Sequence, residues 1–264
     1  MSASSEKFSD LAARMSSAAV MAVVGIGAVW AGGFWFMALL TVVCGALVWE
    51  LVRMLGAGQN RALTMGALAA GSFLAVSLLP PGLGLPFILV PAMAGIALLS
   101  SNRTLYMVFA ALIVISCYGL AILRVDFGFV WMLWLALVVI ATDVLGYFAG
   151  RIFGGPKFWP RVSPKKTWSG TVAGWVAAAL VGAAFMTVPG VGLEILGISV
   201  AISMASQMGD IAESAVKRKM GVKDSSNLIP GHGGVFDRFD GMLGASVFLL
   251  LIEQVVDFPP ALIG

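Results

Sequence analysis

Charge is the scarcest ingredient of this sequence. Only 11% of the 264 residues are charged and 60% are hydrophobic, whereas soluble domains average about 25% and about 45–50%. With a mean hydropathy of +0.99, a water-soluble globule is excluded. The two cysteines, Cys44 and Cys117, both lie inside apolar runs, so no disulfide framework is implied. The alternation of a membrane barrel is missing too, because runs such as Leu105 to Leu123 are apolar on every face. No Walker-type phosphate loop is present.

What the chain has instead is a series of apolar runs long enough to cross a bilayer, each needing about 20 residues. About nine such segments fall near 15–31, 34–55, 62–79, 83–99, 105–123, 128–149, 170–188, 193–212 and 241–257. The expected fold is therefore all-α, a polytopic integral membrane protein with about nine transmembrane helices. The first run follows a polar leader, Met1 to Arg14, and reads as a retained span rather than a cleaved signal peptide.

The basic residues fix an orientation. With nine spans, 15 of the 16 Lys and Arg residues share one side and only Arg124 falls on the other. The positive-inside rule makes that side cytoplasmic, with the N-terminus in and the C-terminus out; the compartment is a bacterial-type inner or plasma membrane. Residues 1–127 read as an N-terminal transmembrane scaffold of about five helices. Arg53, Arg61 and Arg103 serve there as interfacial anchors, and Gly66 to Gly71 as a small-residue packing patch, a role Gly170 and Gly174 repeat later. Residues 128–264 read as a catalytic half.

That second half concentrates the polar chemistry. Two cytoplasmic loops, about 150–169 and 213–240, hold ten of the sixteen basic residues. Acidic groups sit inside or at the ends of the adjoining helices: Asp143, Asp210, Glu213, Asp237 and Asp240. An ionised group in a membrane segment is a functional candidate by default, since placing one at mid-bilayer costs about 2.5–3.5 kcal/mol on the lenient scale. Asp143 has Tyr147 and Arg151 at i+4 and i+8, which serve equally to neutralise it or to share a site with it. Gln207, Asp210, Ser214 and Lys217 form one helical stripe, with Glu213 placed to pair with Lys217. Beyond them come Lys217-Arg218-Lys219, Lys223-Asp224, Pro230-Gly231-His232-Gly233-Gly234 and Asp237-Arg238-Phe239-Asp240. The glycines allow backbone amides to approach a ligand closely. The Ser225-Ser226 and Asn227 segment reads as solvated loop.

Carboxylates from separate helix ends beside a basic, glycine-rich loop suit a hard cation and a polyphosphate, because Mg²⁺ takes one or two carboxylates and binds substrate phosphates. Lys and Arg then offset charge that builds on a transferring phosphorus. A polybasic loop binding lipid headgroups would account for the lysines, but not for three Asp residues among them.

The 27 residues from Ser214 to Asp240, with Lys217-Arg218, Lys223-Asp224 and Ile229-Pro230-Gly-His232-Gly233-Gly234-Val-Phe-Asp237-Arg238-Phe-Asp240, resemble the signature of the phosphatidate cytidylyltransferase (CDP-diacylglycerol synthase) family. Gln207-Met-Gly209-Asp210 and Ser163-Pro164-Lys165-Lys166-Thr167 resemble further family segments. The chain departs from it at Ser169, where relatives often carry Glu, and at Val144 and Gly146 beside Asp143. The resemblance implies cytidylyl transfer from CTP to phosphatidate, giving CDP-diacylglycerol and pyrophosphate with Mg²⁺ and room for a second cation. Catalytic roles then fall to Asp210, Asp237, Lys217, Arg218 and Arg238. Substrate binding falls to Lys165, Lys166, Ser214, Lys223, Asp224, His232, Gly233, Gly234 and Asp143, and metal ligation to Asp210, Asp237 and Asp240. His232 is expected to shape the loop rather than donate a proton, since pyrophosphate leaves well without one. Expected partners are the two substrates and membrane lipids, with no nucleic acid; the small-residue faces are compatible with a homodimer. The rival readings are a CTP-dependent lipid kinase of the polyprenol type, a cytidylyltransferase for another lipid and, last, a transporter.

Overall fold

The computed structural model describes residues 3–256 and 258–260, with side chains from residue 14 onward. Its elements run α1 (Ala3–Ala31), α2 (Gly33–Met54), α3 (Gln59–Leu78), the single turn α4 (Pro81–Gly84), α5 (Leu89–Leu98), α6 (Arg103–Asp126) and α7 (Phe129–Ile152). The strands β1 (Lys157–Trp159) and β2 (Ser163–Thr167) precede α8 (Trp168–Phe185), α9 (Glu194–Met220) and α10 (Phe236–Glu253). Among the described residues eight helical segments are long and apolar enough to cross a membrane. They coincide with the first eight expected spans, and the protein is an integral membrane protein. The fourth is interrupted: α4 gives way to a 3₁₀ turn over Leu85–Ile88 before α5, as expected where Pro86 and Pro91 remove amide donors. The ninth expected span corresponds to α10, which is not among these eight; its first turn carries Asp237 and Arg238, with Asp240 following.

Two boundaries differ from the sequence reading. The basic segments taken as loops over about 150–169 and 213–240 are shorter, because α7 runs on to Ile152, α9 to Met220, and α10 begins at Phe236. Polar helix ends extend past the hydrocarbon at no cost, and hydropathy alone does not register them. Within the first segment lies an antiparallel hairpin, Lys157 pairing with Thr167 and Trp159 with Ser163. Thr167 then caps α8, its hydroxyl accepting from the Gly170 amide at 3.2 Å.

The chain forms two compact units, residues 1–121 with 220–239, and residues 122–219 with 240–264. In the first, α2 packs on α3 where Gly45 and Gly66 meet; a Cβ on Gly66 would lie 2.7 Å from the Gly45 carbonyl. Its core gathers Leu47, Leu51, Met65, Phe73 and Tyr106, all fully buried. In the second, α7 packs on α8 through Gly146 and Gly170, a Cβ on Gly170 falling 2.5 Å from the Gly146 carbonyl. Such contacts replace the hydrophobic drive that lipid cannot supply between membrane helices. Trp131 and Trp134 sit edge-on to each other at 5.9 Å. Two side-chain hydrogen bonds tie α7 to α9: Trp134 Nε1 donates to the Ser199 hydroxyl at 3.0 Å and the Thr142 hydroxyl to that of Ser203 at 2.8 Å.

The sequence division at 127/128 left residues 220–239 with the C-terminal half. In the structure they pack with the N-terminal helices, held there by a buried carboxylate of α2 described below.

Candidate active site

In the second unit, α7, β2, α8 and α9 enclose a cavity of about 470 Å³, lined among others by Asp143, Arg151, Lys157, Lys165, Lys166 and Asp210. The α9 stripe supplies its acidic wall. Lys166 Nζ lies 2.6 Å from Asp210 Oδ2 and 3.4 Å from the Gln207 carbonyl, and the Ser214 hydroxyl donates to Asp210 Oδ1 at 3.3 Å. Gln207 is fixed at both ends of its amide, Oε1 accepting from Trp175 Nε1 at 3.0 Å and Nε2 donating to the Thr171 carbonyl at 3.2 Å. Its polar head is thus spent on α8, which sets the rotation of α9 and so the direction of Asp210. On α7, Arg151 donates to the Tyr147 hydroxyl at 2.9 Å, and both line the cavity with Asp143.

Lower on α9, Lys217 pairs with the fully buried Glu213 at 2.5 Å, as the i,i+4 spacing predicts, while Arg218 is exposed. Asp240 feels the charges of Asp210 and Asp143, offset by Lys217, and its Oδ1 accepts from the Gly241 amide at 2.7 Å. The departure at Ser169 also has a local account. Its hydroxyl donates to the Gly154 carbonyl at 2.5 Å and lies 3.0 Å from the Thr167 hydroxyl, closing the hairpin onto the start of α8.

In the first unit, residues 221–235 form a second cavity, of about 380 Å³, lined by Arg14, Lys223, Asp224, Asn227, His232, Gly233 and Arg238 together with the Ile229–Gly231 turn. That turn is a β-turn in which the His232 amide donates to the Ile229 carbonyl at 2.9 Å. Gly231 adopts φ +74°, the value a Pro-Gly pair favours at the third turn position. His232 Nδ1 lies 2.9 Å from the Ser17 hydroxyl, which also donates to the Pro230 carbonyl at 2.9 Å. The histidine thus joins the loop to α1.

The glycines here are crowded by protein. A Cβ on Gly231 would meet Arg14 Cγ at 2.4 Å, one on Gly233 the Asp237 carboxylate at 2.8 Å, and one on Gly234 the Ser225 hydroxyl at 2.0 Å. Asp237 Oδ2 accepts three hydrogen bonds, from the Ser225 amide and hydroxyl at 2.8 Å each and from the Gly234 amide at 2.9 Å. Although Asp237 and Asp240 are three residues apart on α10, one is engaged by the loop and the other by its electrostatic neighbours on α7 and α9. Among the described residues no group of three or more His, Cys, Asp or Glu side chains is gathered to hold a metal ion.

One reading changes. Ser225 is buried rather than solvated, because its hydroxyl lies between two carboxylates, 3.1 Å from Glu50 and 2.8 Å from Asp237. Glu50 itself was missed. The available signal was an acidic residue inside an apolar helix, the same signal that flagged Asp143. Arg14 and Ser17 were also missed as site neighbours; a polar leader gives no hint of which loop it will touch.

The profile of the cytidylyltransferase family matches residues 12–256. Curated relatives named phosphatidate cytidylyltransferase include one from Brucella abortus (strain 2308), 45% identical over 152 residues covering 56% of each chain. Another, from Bacillus subtilis (strain 168), is 37% identical over 153 residues, 56% of this chain and 57% of the relative. One from Helicobacter pylori (strain 26695) is 42% identical over 120 residues, 45% of each. The chain thus spans about half the length of the curated relatives it matches. With a profile match that takes in every residue of both cavities and of the glycine-rich turn between Ile229 and Gly234, the chain belongs to the cytidylyltransferase family.

Proposed function

We propose that this protein transfers a cytidylyl group from CTP to phosphatidate, yielding CDP-diacylglycerol and pyrophosphate, with its N-terminus and reaction centre on the cytoplasmic side and its C-terminus outside. The observation that carries this reading is the cavity that gathers Arg151, Lys157, Lys165 and Lys166 around Asp143 and Asp210. Four cations in one chamber match a polyanionic substrate, and Asp210 among them offers a carboxylate to a bound hard cation. The family membership and the relatives' names support the same reaction.

In this reaction a phosphatidate oxygen forms a bond to the α-phosphorus of CTP. The bond from that phosphorus to the bridging oxygen breaks, and pyrophosphate departs with the electron pair. The monoester is already largely ionised near neutral pH, since its second pKa is about 6, so no general base is needed. The obstacle is repulsion between two anions. Lys165 and Lys166 reduce it from the hairpin, and Lys217 and Arg218 from the end of α9. In the first unit, Lys223 and Arg238 line the second cavity, where their cations suit a phosphate group.

The donor chemistry of Asp210 and Asp240, hard oxygens in electrostatic reach of each other, fits Mg²⁺, and Lys166 Nζ on Asp210 marks where positive charge is favoured. Mg²⁺ held by these carboxylates would neutralise and align the CTP phosphates. Asp237, whose Oδ2 is committed to Ser225 and Gly234, serves to keep the basic loop in shape.

The test is turnover by the full chain in detergent with phosphatidate, CTP and Mg²⁺, following both pyrophosphate and CDP-lipid, beside the Asp210→Asn variant. Pyrophosphate and CDP-diacylglycerol in equal amounts, abolished by a chelator and by Asp210→Asn in a folded protein, is the expected result. Release of CDP in place of pyrophosphate would overturn it in favour of a lipid kinase.

A further inference from the structure

The buried carboxylate of α2 has a more specific arrangement than packing requires. Glu50 is fully buried, four residues before the end of an otherwise apolar helix whose other charge is Arg53. Burying a carboxylate costs several kcal/mol unless its oxygens are hydrogen-bonded. Here both oxygens are, each by a backbone amide with a serine hydroxyl beside it. Oε1 accepts from the Ser226 hydroxyl at 2.6 Å and the Val235 amide at 2.9 Å. Oε2 accepts from the Phe236 amide at 2.7 Å and lies 3.1 Å from the Ser225 hydroxyl, whose one proton it shares with Asp237.

The hydroxyls come from one end of the basic loop and the amides from the other, where α10 begins. The amides at a helix start lack intrahelical acceptors and carry partial positive charge, so a carboxylate is their natural partner. Between the two ends lie Asn227 and the Ile229–Gly233 turn with His232, lining the second cavity with Lys223 and Asp224 just ahead of the serines. Ser225 passes the restraint on to Asp237, and Gly234 leaves the room it needs, since a Cβ there would lie 2.5 and 2.7 Å from the two Glu50 oxygens.

We infer that Glu50 is a positioning residue: from α2 it staples the two ends of the basic loop together and so fixes the cations that meet substrate phosphate. It touches no substrate and acts through the loop. The catalytic part of this inference rests on the cytidylyl-transfer reading; the structural part does not.

The experiment compares the full chain in detergent with its Glu50→Gln and Ser226→Ala variants and their combination. It reads amide hydrogen exchange, thermal unfolding and steady-state kinetics. Glu50→Gln preserves shape but turns one acceptor oxygen into a donor facing two donors. Exchange at Val235, Phe236 and the 223–234 amides is expected to rise at least about 10-fold with the rest of the chain unchanged. The kcat/KM is expected to fall about 10-fold to 100-fold, the range set by losing one hydrogen bond to a charged group. Ser226→Ala is expected to give a smaller change of the same pattern, and the combination no more than Glu50→Gln alone. If Glu50→Gln does not fold, Ser226→Ala alone decides, since it removes one strand of the staple and leaves the carboxylate. Loop exchange and kcat/KM equal to wild type in the folded variants would overturn the inference. A wild-type protein that makes no CDP-lipid, yet loses loop protection in Glu50→Gln, would instead fault the reaction and leave the staple standing.

Discussion

Gly234→Ala tests the packing of the basic loop with a single methyl group. Gly234 is not among the glycines with positive φ, so alanine can adopt its backbone conformation and any effect is steric. The added Cβ would stand 2.0 Å from Ser225 Oγ and 2.5 and 2.7 Å from the Glu50 oxygens. Ordinary contact for such atoms begins at about 3.5 Å, so Ser225 would retreat by more than about 1 Å. That hydroxyl lies 3.1 Å from Glu50 and 2.8 Å from Asp237, and moving it breaks the hydrogen bond it donates between them. Overpacking costs about 1–3 kcal/mol, and each lost hydrogen bond to a charged group adds about 1.5–3 kcal/mol. The sum, about 2.5–6 kcal/mol, falls on the loop, and turnover is expected to drop at least about 50-fold. The assay is turnover in detergent together with hydrogen exchange over 221–236. Gly197→Ala serves as a control: it lies on α9 with no atom within 4 Å of its added Cβ, and is expected to be neutral or stabilising by up to about 1 kcal/mol. A Gly234→Ala protein with wild-type turnover and loop protection would refute the reasoning.

Lys166→Met breaks the 2.6 Å pair with Asp210, whose side chains are 19% and 32% exposed. Screening limits the loss of stability to about 1 kcal/mol or less, while turnover is expected to fall about 10²–10³-fold because the cation meets developing charge. An activity within twofold of wild type would remove Lys166 from the site. Gly209→Ala would put a Cβ 2.3 Å from the Asp240 carbonyl and 3.1 Å from the Gly244 amide, costing about 1–3 kcal/mol through separation of α9 from α10. The measurement is the thermal unfolding midpoint in detergent, and an unchanged midpoint would show that the two backbones are not so close.

The features legible in the sequence were local ones. A run of about 20 apolar residues must be a membrane helix wherever the rest of the chain goes, since the bilayer leaves backbone groups no other partner. Eight such helices are in place, and the Gln207-Asp210-Ser214-Lys217 stripe follows from helical period alone. The Glu213–Lys217 pair needed only an i,i+4 spacing. Gly170 and Gly174 could be read as packing sites because lipid-embedded helices have few other means of close approach.

Tertiary structure decided which of these local features meet. The bonds from Glu50 to the loop cross 175 to 186 residues, and no periodicity reports a partner at that distance. The same holds for Ser17 with His232, 215 residues apart, and for Lys166 of the hairpin with Asp210 of α9. A serine in a polar loop and a serine buried between two carboxylates look alike in sequence. They differ only in what the fold brings against them, because the cost of burial and the gain from hydrogen bonding are settled by neighbours, not by residue type. The sequence by itself therefore determined the helices, their polar stripes and the stock of charged groups. Only the tertiary structure decided that an N-terminal carboxylate organises the loop and that its glycines make room for protein atoms.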